Sequence, residues 1–401
     1  MTMKKSEQPG LGRREAIGLL GLGAGLVALR EEIGLAAGFA PAPAAQATRI
    51  PSGAIIRTVL KDVSPDALRG GATLMHEHIV GGFYSSPPRA AAPAGTGQRG
   101  GTPTPPGGND AQSGGRQANP SPRPAQEEDI DLIVEELKAS KKDGLIGIVD
   151  ASIGRRRPAK AIEDIKTIAT RSGVHVILAG GYYLAPYPAG VMDKTEDQIA
   201  DELVSDAQAQ RWGAFGEIGS SLETHPDERK MMRAVSKAHH RTGLAIFTHS
   251  PHEGCQKCAL DQLDVYESEK VNPRNLCIGH LSDLKDDPKA QTPIAIAKRG
   301  AFVGFDTVGH ELNVSAITNV TDRMKLHMVL AVLEAGFEDQ ILLSSDMAHN
   351  RQLKANFGEG FSAVLVTFVG KMRYAGVKDS TIHKILHDNS RRFLAFTPKT
   401  S

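Results

Sequence analysis

Two histidines one residue apart, His76 and His78, close an apolar run at 72–80 that follows the turn-prone Arg69-Gly-Gly71. Side chains at i and i+2 of a strand point to one face. The pair can therefore grip one cation, while Glu77 points the other way, into a barrel wall or toward a neighbouring helix. Later apolar runs end in the same kinds of residue: Glu217, His249, His280 and Asp346. Imidazole nitrogens and carboxylate oxygens are donors that divalent metals accept. One such histidine alone reads equally well as a hydrogen-bonded core residue. Four imidazoles and two carboxylates at matching ends of successive strands do not, because buried polar groups without partners are costly. A single open catalytic zinc site needs three protein ligands and a water. Two metals bridged by a carboxylate use all six.

Strand and helix alternate along the chain in a way that would position these groups. After the run at 72–80, apolar strands are expected at 145–151, 175–183, 214–218, 245–249, 276–280, 301–305 and 341–346. Between them lie helical patterns. Ile130, Ile133, Val134 and Leu137 recur at helical spacing, with acids before them and Lys141-Lys142 after, as the helix dipole prefers. Ala161, Ile162, Ile165, Ile168 and Ala169 mark the next helix. Eight such units imply an α/β protein of the (β/α)8 TIM-barrel class, whose active site rings the C-terminal ends of the strands. A short strand at 55–59 precedes the barrel. Residues 85–126 are dominated by Pro, Gly, Ala, Ser and Gln and read as a disordered insertion after the first strand.

Composition narrows the function classes. A net charge of +1, with 40% hydrophobic and 23% charged residues among 401, gives no reason to expect nucleic acid or an anionic membrane as partner. Three cysteines do not make a disulfide scaffold. At the N-terminus, Arg13-Arg14 precede the uncharged stretch 16–29, too short to span a bilayer, and Ala45-Gln-Ala47 offers a small-residue cleavage site. Residues 1–47 therefore resemble a twin-arginine export signal. The mature chain is expected at 48–401, in the periplasm or secreted, without stable membrane insertion.

Several matching stretches carry a family resemblance: Ile56-Arg-Thr-Val59, Thr73-Leu-Met-His-Glu-His78, Gly180-Gly-Tyr-Tyr183, Thr248-His249, Ile278-Gly-His280, Val303-Gly-Phe-Asp306 and Ile341-Leu-Leu-Ser-Ser-Asp346. The closing His387-Asp-Asn-Ser-Arg-Arg-Phe393 resembles the family's last helix. Over residues 54–397 the chain resembles the phosphotriesterase family of the amidohydrolase superfamily. The resemblance implies two divalent ions, zinc first and manganese or cobalt as alternatives. His76, His78 and Asp346 would hold the more buried ion, and His249 and His280 the more exposed one. The better-known members bridge the ions with a carboxylated lysine. Here Gly216-Glu217-Ile218-Gly219 stands in that place, without a lysine between 205 and 229, as in the phosphotriesterase homology proteins. Glu217 would supply the bridging carboxylate without carbon dioxide.

The implied activity is hydrolysis of a small-molecule ester, lactone or phosphoester by a metal-bridging hydroxide, with Asp346 as the proton carrier. Tyr183 and Arg323 match positions lining the substrate pocket in lactonase-like relatives. For Arg323, a surface arginine at a helix start is the competing reading. Two other classes stay open: hydrolysis of an amide, such as removal of an acyl group, and a barrel that binds metal or ligand without turnover. Beyond substrate, the expected partner is at most a second copy of the chain. Cys255-Gln-Lys-Cys258 allows a disulfide but reads more commonly as two helix residues. His310 and His349 fall on loops near the mouth, Glu223 reads as solvated or capping, and His239-His240 lie far from the mouth.

Overall fold

The computed structural model describes residues 49–79, 127–151, 155–309, 320–349 and 352–399. The expected export signal at 1–47, the expected insertion at 85–126 and His310 lie outside the described residues. A small antiparallel hairpin, β1 (Ile56–Arg57) with β2 (Asp62–Val63), precedes eight parallel strands. These are β3 (Ala72–Glu77), β4 (Leu145–Asp150), β5 (His175–Gly180), β6 (Trp212–Gly219), β7 (Ala245–His249), β8 (Leu276–Ile278), β9 (Phe302–Phe305) and β10 (Ile341–Leu343). They pair in sequence order from β3 to β10, each neighbour parallel. Helices α1 (Glu127–Lys142), α2 (Ala159–Ser172), α3 (Glu196–Ala209), α4 (Pro226–Thr242), α5 (Gln256–Ser268), α6 (Gln291–Lys298) and α7 (Asp322–Glu334) cover the outside. This is a (β/α)8 barrel, with all eight expected strands in place.

The pleat divides the core in two. Outward residues such as Leu74, Ile148, Val176, Phe215, Ile246 and Ile278 join the helix faces, including Ile130, Ile133, Val134 and Leu137 of α1. Inward residues form a second cluster with Met75, Val149, Ile177, Ala214, Phe247, Cys277, Phe302 and Leu342. Phe393 and Leu394, in the closing helix at Ser390–Leu394, belong to that inner cluster with Ile56 of the hairpin. The bottom of the barrel is thereby plugged, and the polar groups gather at the other end.

Several strands end earlier than the sequence alone suggests. The first ends at Glu77, β8 at Ile278 and β10 at Leu343. For β3 and β10 the cause is at the seam between them, where side chains take over from the ladder. Ser344 Oγ donates to Glu77 Oε1 at 2.6 Å, Ser345 N–H donates to the same oxygen at 2.8 Å, and Met347 N–H donates to Oε2 at 2.8 Å. Asp346 N–H reaches His76 O at 3.0 Å. Glu77 therefore points into the wall, as expected, and clips the seam shut. Burial, partly offset by these hydrogen bonds, pushes its carboxyl up to about 7.

Candidate metal centre

The mouth is built from residues at or just past the strand ends. His76 is the penultimate residue of β3 and His78 follows the strand, Glu217 sits in β6, His249 closes β7, and His280 and Asp346 follow β8 and β10. Both His280 (φ 55°) and Asp346 (φ 47°) adopt the left-handed region, unusual for residues with a Cβ and worth roughly 1–3 kcal/mol of strain each. That turn aims both side chains into the barrel axis. Gly279 allows it, since a Cβ there would lie 2.1 Å from Thr248 O.

Glu217 is the hub. Its Oε2 lies 2.9 Å from His249 Nδ1, 3.4 Å from His76 Nε2 and 3.5 Å from His280 Nε2, and its Oε1 lies 3.5 Å from His78 Nε2. Asp346 Oδ1 lies 3.1 Å from His78 Nε2 and 3.7 Å from His76 Nε2. All six expected residues thus converge, five of them buried and Asp346 nearly so. A carboxylate within reach of four imidazoles fits a bridging role.

Asp306, at the end of β9, organises two of the rings from behind. Its Oδ2 lies 3.1 Å from His76 Nδ1, and its Oδ1 lies 3.0 Å from His280 Nδ1 and accepts His280 N–H at 2.8 Å. An ionised carboxylate only accepts, so Nδ1 of each ring carries its proton and Nε2 faces the centre with a lone pair. Both Nε2 atoms are buried without a hydrogen-bond partner. Orphaned nitrogens beside a shared carboxylate are what divalent ions would satisfy. The donor set therefore fits metals, in trios formed by His76, His78 and Asp346 and by His76, Glu217 and His280.

Charge at the centre points the same way. Burial opposes the His76 imidazolium, yet Glu217, Asp306 and Asp346 push it up to about 10, and His280 is raised well above its usual range in the same manner. Burial likewise opposes the charges of Glu217 and Asp346, but the surrounding imidazoles hold both well below the usual carboxylate range. His249 goes the other way: burial and the neighbouring His280 push it down to about 4.

Tyr183 stands at this mouth, its hydroxyl 2.9 Å from His249 Nε2. Burial, then the charges of Glu217 and Asp346, raise its phenol well above the usual value, so it stays a neutral hydroxyl. Arg323 is exposed in the first turn of α7, and nothing described brings it to the cluster. His349 is half-buried, Glu223 is exposed, and His239 is buried in α4 against Leu244 O at 2.6 Å. Cys255 and Cys258 form a disulfide at the start of α5 rather than remaining two helix residues.

Three residues of the centre had no role assigned from the sequence. Asp306 was legible only as part of a matching stretch, although it ends the one late strand without a metal-binding side chain of its own. His252 and Asp283 gave no signal. They meet across two loops, with His252 Nδ1 2.7 Å from Asp283 Oδ2.

A parallel barrel with imidazoles and carboxylates at its mouth defines a metal-dependent hydrolase class. The sequence model of the phosphotriesterase family matches residues 55–394, and the chain belongs to that family. It is 27% identical to the N-acetyltaurine hydrolase of Danio rerio over 85% of this chain and 98% of that protein. To the phosphotriesterase homology protein of Escherichia coli it is 28% identical, over 56% of this chain and 76% of the relative. Among solved structures, a resiniferatoxin-binding protein from Rhodobacter sphaeroides superposes with a TM-score of 0.67 at 26% identity, covering 86% of this chain and 96% of that one. The Escherichia coli phosphotriesterase homology protein, with phosphate in its active site, superposes at 0.63 over 81% and 99%. At 23% identity the latter likeness speaks for the fold.

Proposed function

We propose that this chain is a binuclear metal hydrolase that cleaves the acyl bond of a small molecule, an N-acyl amide in first place and an ester or lactone in second. The observation that carries the binuclear reading is Glu217, one carboxylate within 3.5 Å of four imidazoles at the ends of three strands. The ordering of substrates departs from the sequence expectation of an ester, lactone or phosphoester. It follows relatives that match along nearly their whole length and bear the name N-acetyltaurine hydrolase.

In this reading His76, His78 and Asp346 would hold one ion and His249 and His280 the other, with Glu217 as the shared carboxylate ligand and zinc the first candidate. Such a pair supplies Lewis acidity and a hydroxide nucleophile at neutral pH. The chain's own residues do the rest. Asp346 stays ionised, and its Oδ2 takes the proton of the attacking water and returns it to the departing nitrogen, which an amide needs more than an ester does. Tyr183 keeps its phenolic proton and offers it to the substrate's carbonyl oxygen, orienting that group. The Glu217 carboxylate would supply the negative charge that offsets the repulsion between two such ions. Residues 1–47 are proposed as an export signal, tested by N-terminal sequencing of the mature protein.

The test is a panel of N-acetyltaurine and other N-acyl amines, lactones, aryl esters and phosphotriesters, offered to the metal-loaded enzyme. The highest kcat/KM is expected on an N-acyl amide. Turnover confined to phosphotriesters, or none at all with two ions bound, would overturn the assignment.

A further inference from the structure

We propose that His252 is a third imidazole ligand of the more exposed metal, beside His249 and His280; this rests on the binuclear reading above. The nitrogens of His249, His252 and His280 lie within 4.8 Å of one another, the same envelope that encloses the other two trios. Ring centroids are 4.2 Å apart for His252 and His280 and 5.0 Å for His249 and His252.

The ring is set up as a ligand by its partner. Asp283 is fully buried, accepts from Thr307 Oγ1 at 2.7 Å and lies 2.7 Å from His252 Nδ1. Lys325 Nζ, buried beneath, donates to Thr307 O and steadies that turn. With Nδ1–H given to Asp283, His252 Nε2 faces inward with its lone pair, 4.0 Å from Asp346 Oδ2. This carboxylate–imidazole pairing fixes both tautomer and orientation of metal-binding histidines, and it repeats what Asp306 does for His76 and His280.

The loop that carries the ring is held at both ends. It leaves β7 directly after His249, and a Cβ on Gly254 would lie 2.8 Å from Asp283 O, so the two loops pack backbone against backbone. The Cys255–Cys258 disulfide closes the loop where α5 begins. Three imidazoles on the second ion, against two with Asp346 on the first, would make the exposed site hold its metal without relying on solvent ligands.

The experiment is a zinc titration of the metal-stripped full chain against a chromophoric chelator, with visible spectra of the cobalt form. Wild type is expected to bind two ions in two steps. His252→Ala should weaken one step by about tenfold or more and leave the other unchanged, and it should alter the cobalt spectrum of the weakened site. Asp283→Asn should shift the same step by less. Two unchanged constants in folded His252→Ala overturn the assignment, even if its melting temperature falls. Should His252→Ala not fold, His252→Gln and Asp283→Asn carry the same readout. No substrate enters the titration, so a failed substrate panel leaves it intact. Wild type that binds a single ion would defeat the binuclear reading itself rather than the role of His252, and unchanged constants in His249→Ala would remove His249 from the ligand set.

Discussion

Asp306→Asn is the substitution that separates a metal centre from a merely polar mouth. The carboxylate meets His76 Nδ1 at 3.1 Å and His280 Nδ1 at 3.0 Å, one imidazole from each proposed metal. Asparagine keeps the shape but offers one acceptor and one donor group. One ring then faces an N–H, must surrender its Nδ1 proton and acquires one on Nε2, which removes its lone pair from the centre. The loss of such a supporting carboxylate costs about 10–100-fold in metal affinity, or about 1.4–2.7 kcal/mol per site. If both rings are disturbed, the loaded protein loses roughly 3–5 kcal/mol of binding, which appears as a fall in its melting temperature at fixed free metal. The assay is chelator competition on wild type and variant, with melting of each in loaded and stripped form. Dissociation constants within about twofold of wild type in a folded variant would refute the reasoning.

Three further outcomes follow from the same geometry. His249→Ala or His280→Ala should lower metal content from two toward one per chain and abolish turnover, measured by elemental analysis; two ions retained in both variants would remove these residues from the ligand set. Glu217→Gln should lose at least one ion, because two dications this close repel strongly without an anion between them. Reconstitution of the wild type should not respond to bicarbonate, whereas acceleration by it would show that a lysine-derived carboxylate is needed. Away from the centre, burial pushes His239 down to about 4 from an ordinary 6.5. Its folded-state value is depressed, so the stability it contributes is present above pH 6.5 and lost as pH falls toward 4, about 3 kcal/mol in all. Urea melts at pH 7 and 5 should show that loss in wild type and a smaller one in His239→Gln.

The ligand set was legible because its spacing is imposed by strand geometry. His76 and His78 share a face by the period of two, and each later ligand follows an apolar run that only a buried strand explains. Ile130, Ile133, Val134 and Leu137 likewise had to face a core, and all four are buried. What stayed hidden depends on where loops fold back. His252 and Asp283 are 31 residues apart and meet only because the turns after β7 and β8 pack on one another. Asp306 carries no ligand spacing, since it acts through two rings rather than on a metal. The strand ends were overrun because Glu77 and Ser344 replace ladder hydrogen bonds with side-chain ones, which alternation does not encode. Arg323 follows residues 310–319, which are outside the described structure, and its place at the mouth has no support there.

Under the proposed binuclear reading, a glutamate would suffice where the resemblance implies a modified lysine in better-known members. Glu217 and Asp306, both buried, and Asp346, nearly so, put three carboxylates in one small volume. Burial alone would neutralise them. Protons or metal ions must therefore share the space, and they compete for the same Nε2 atoms of His76 and His280. The upward push on both imidazoles is the proton side of that competition. Two dications, if bound as proposed, would displace those protons and leave the neutral rings that metals require, so binding would release protons and weaken in acid. A carboxylate fixed in the sequence supplies its charge as soon as the chain folds, so in this reading metal loading would need no carbon dioxide.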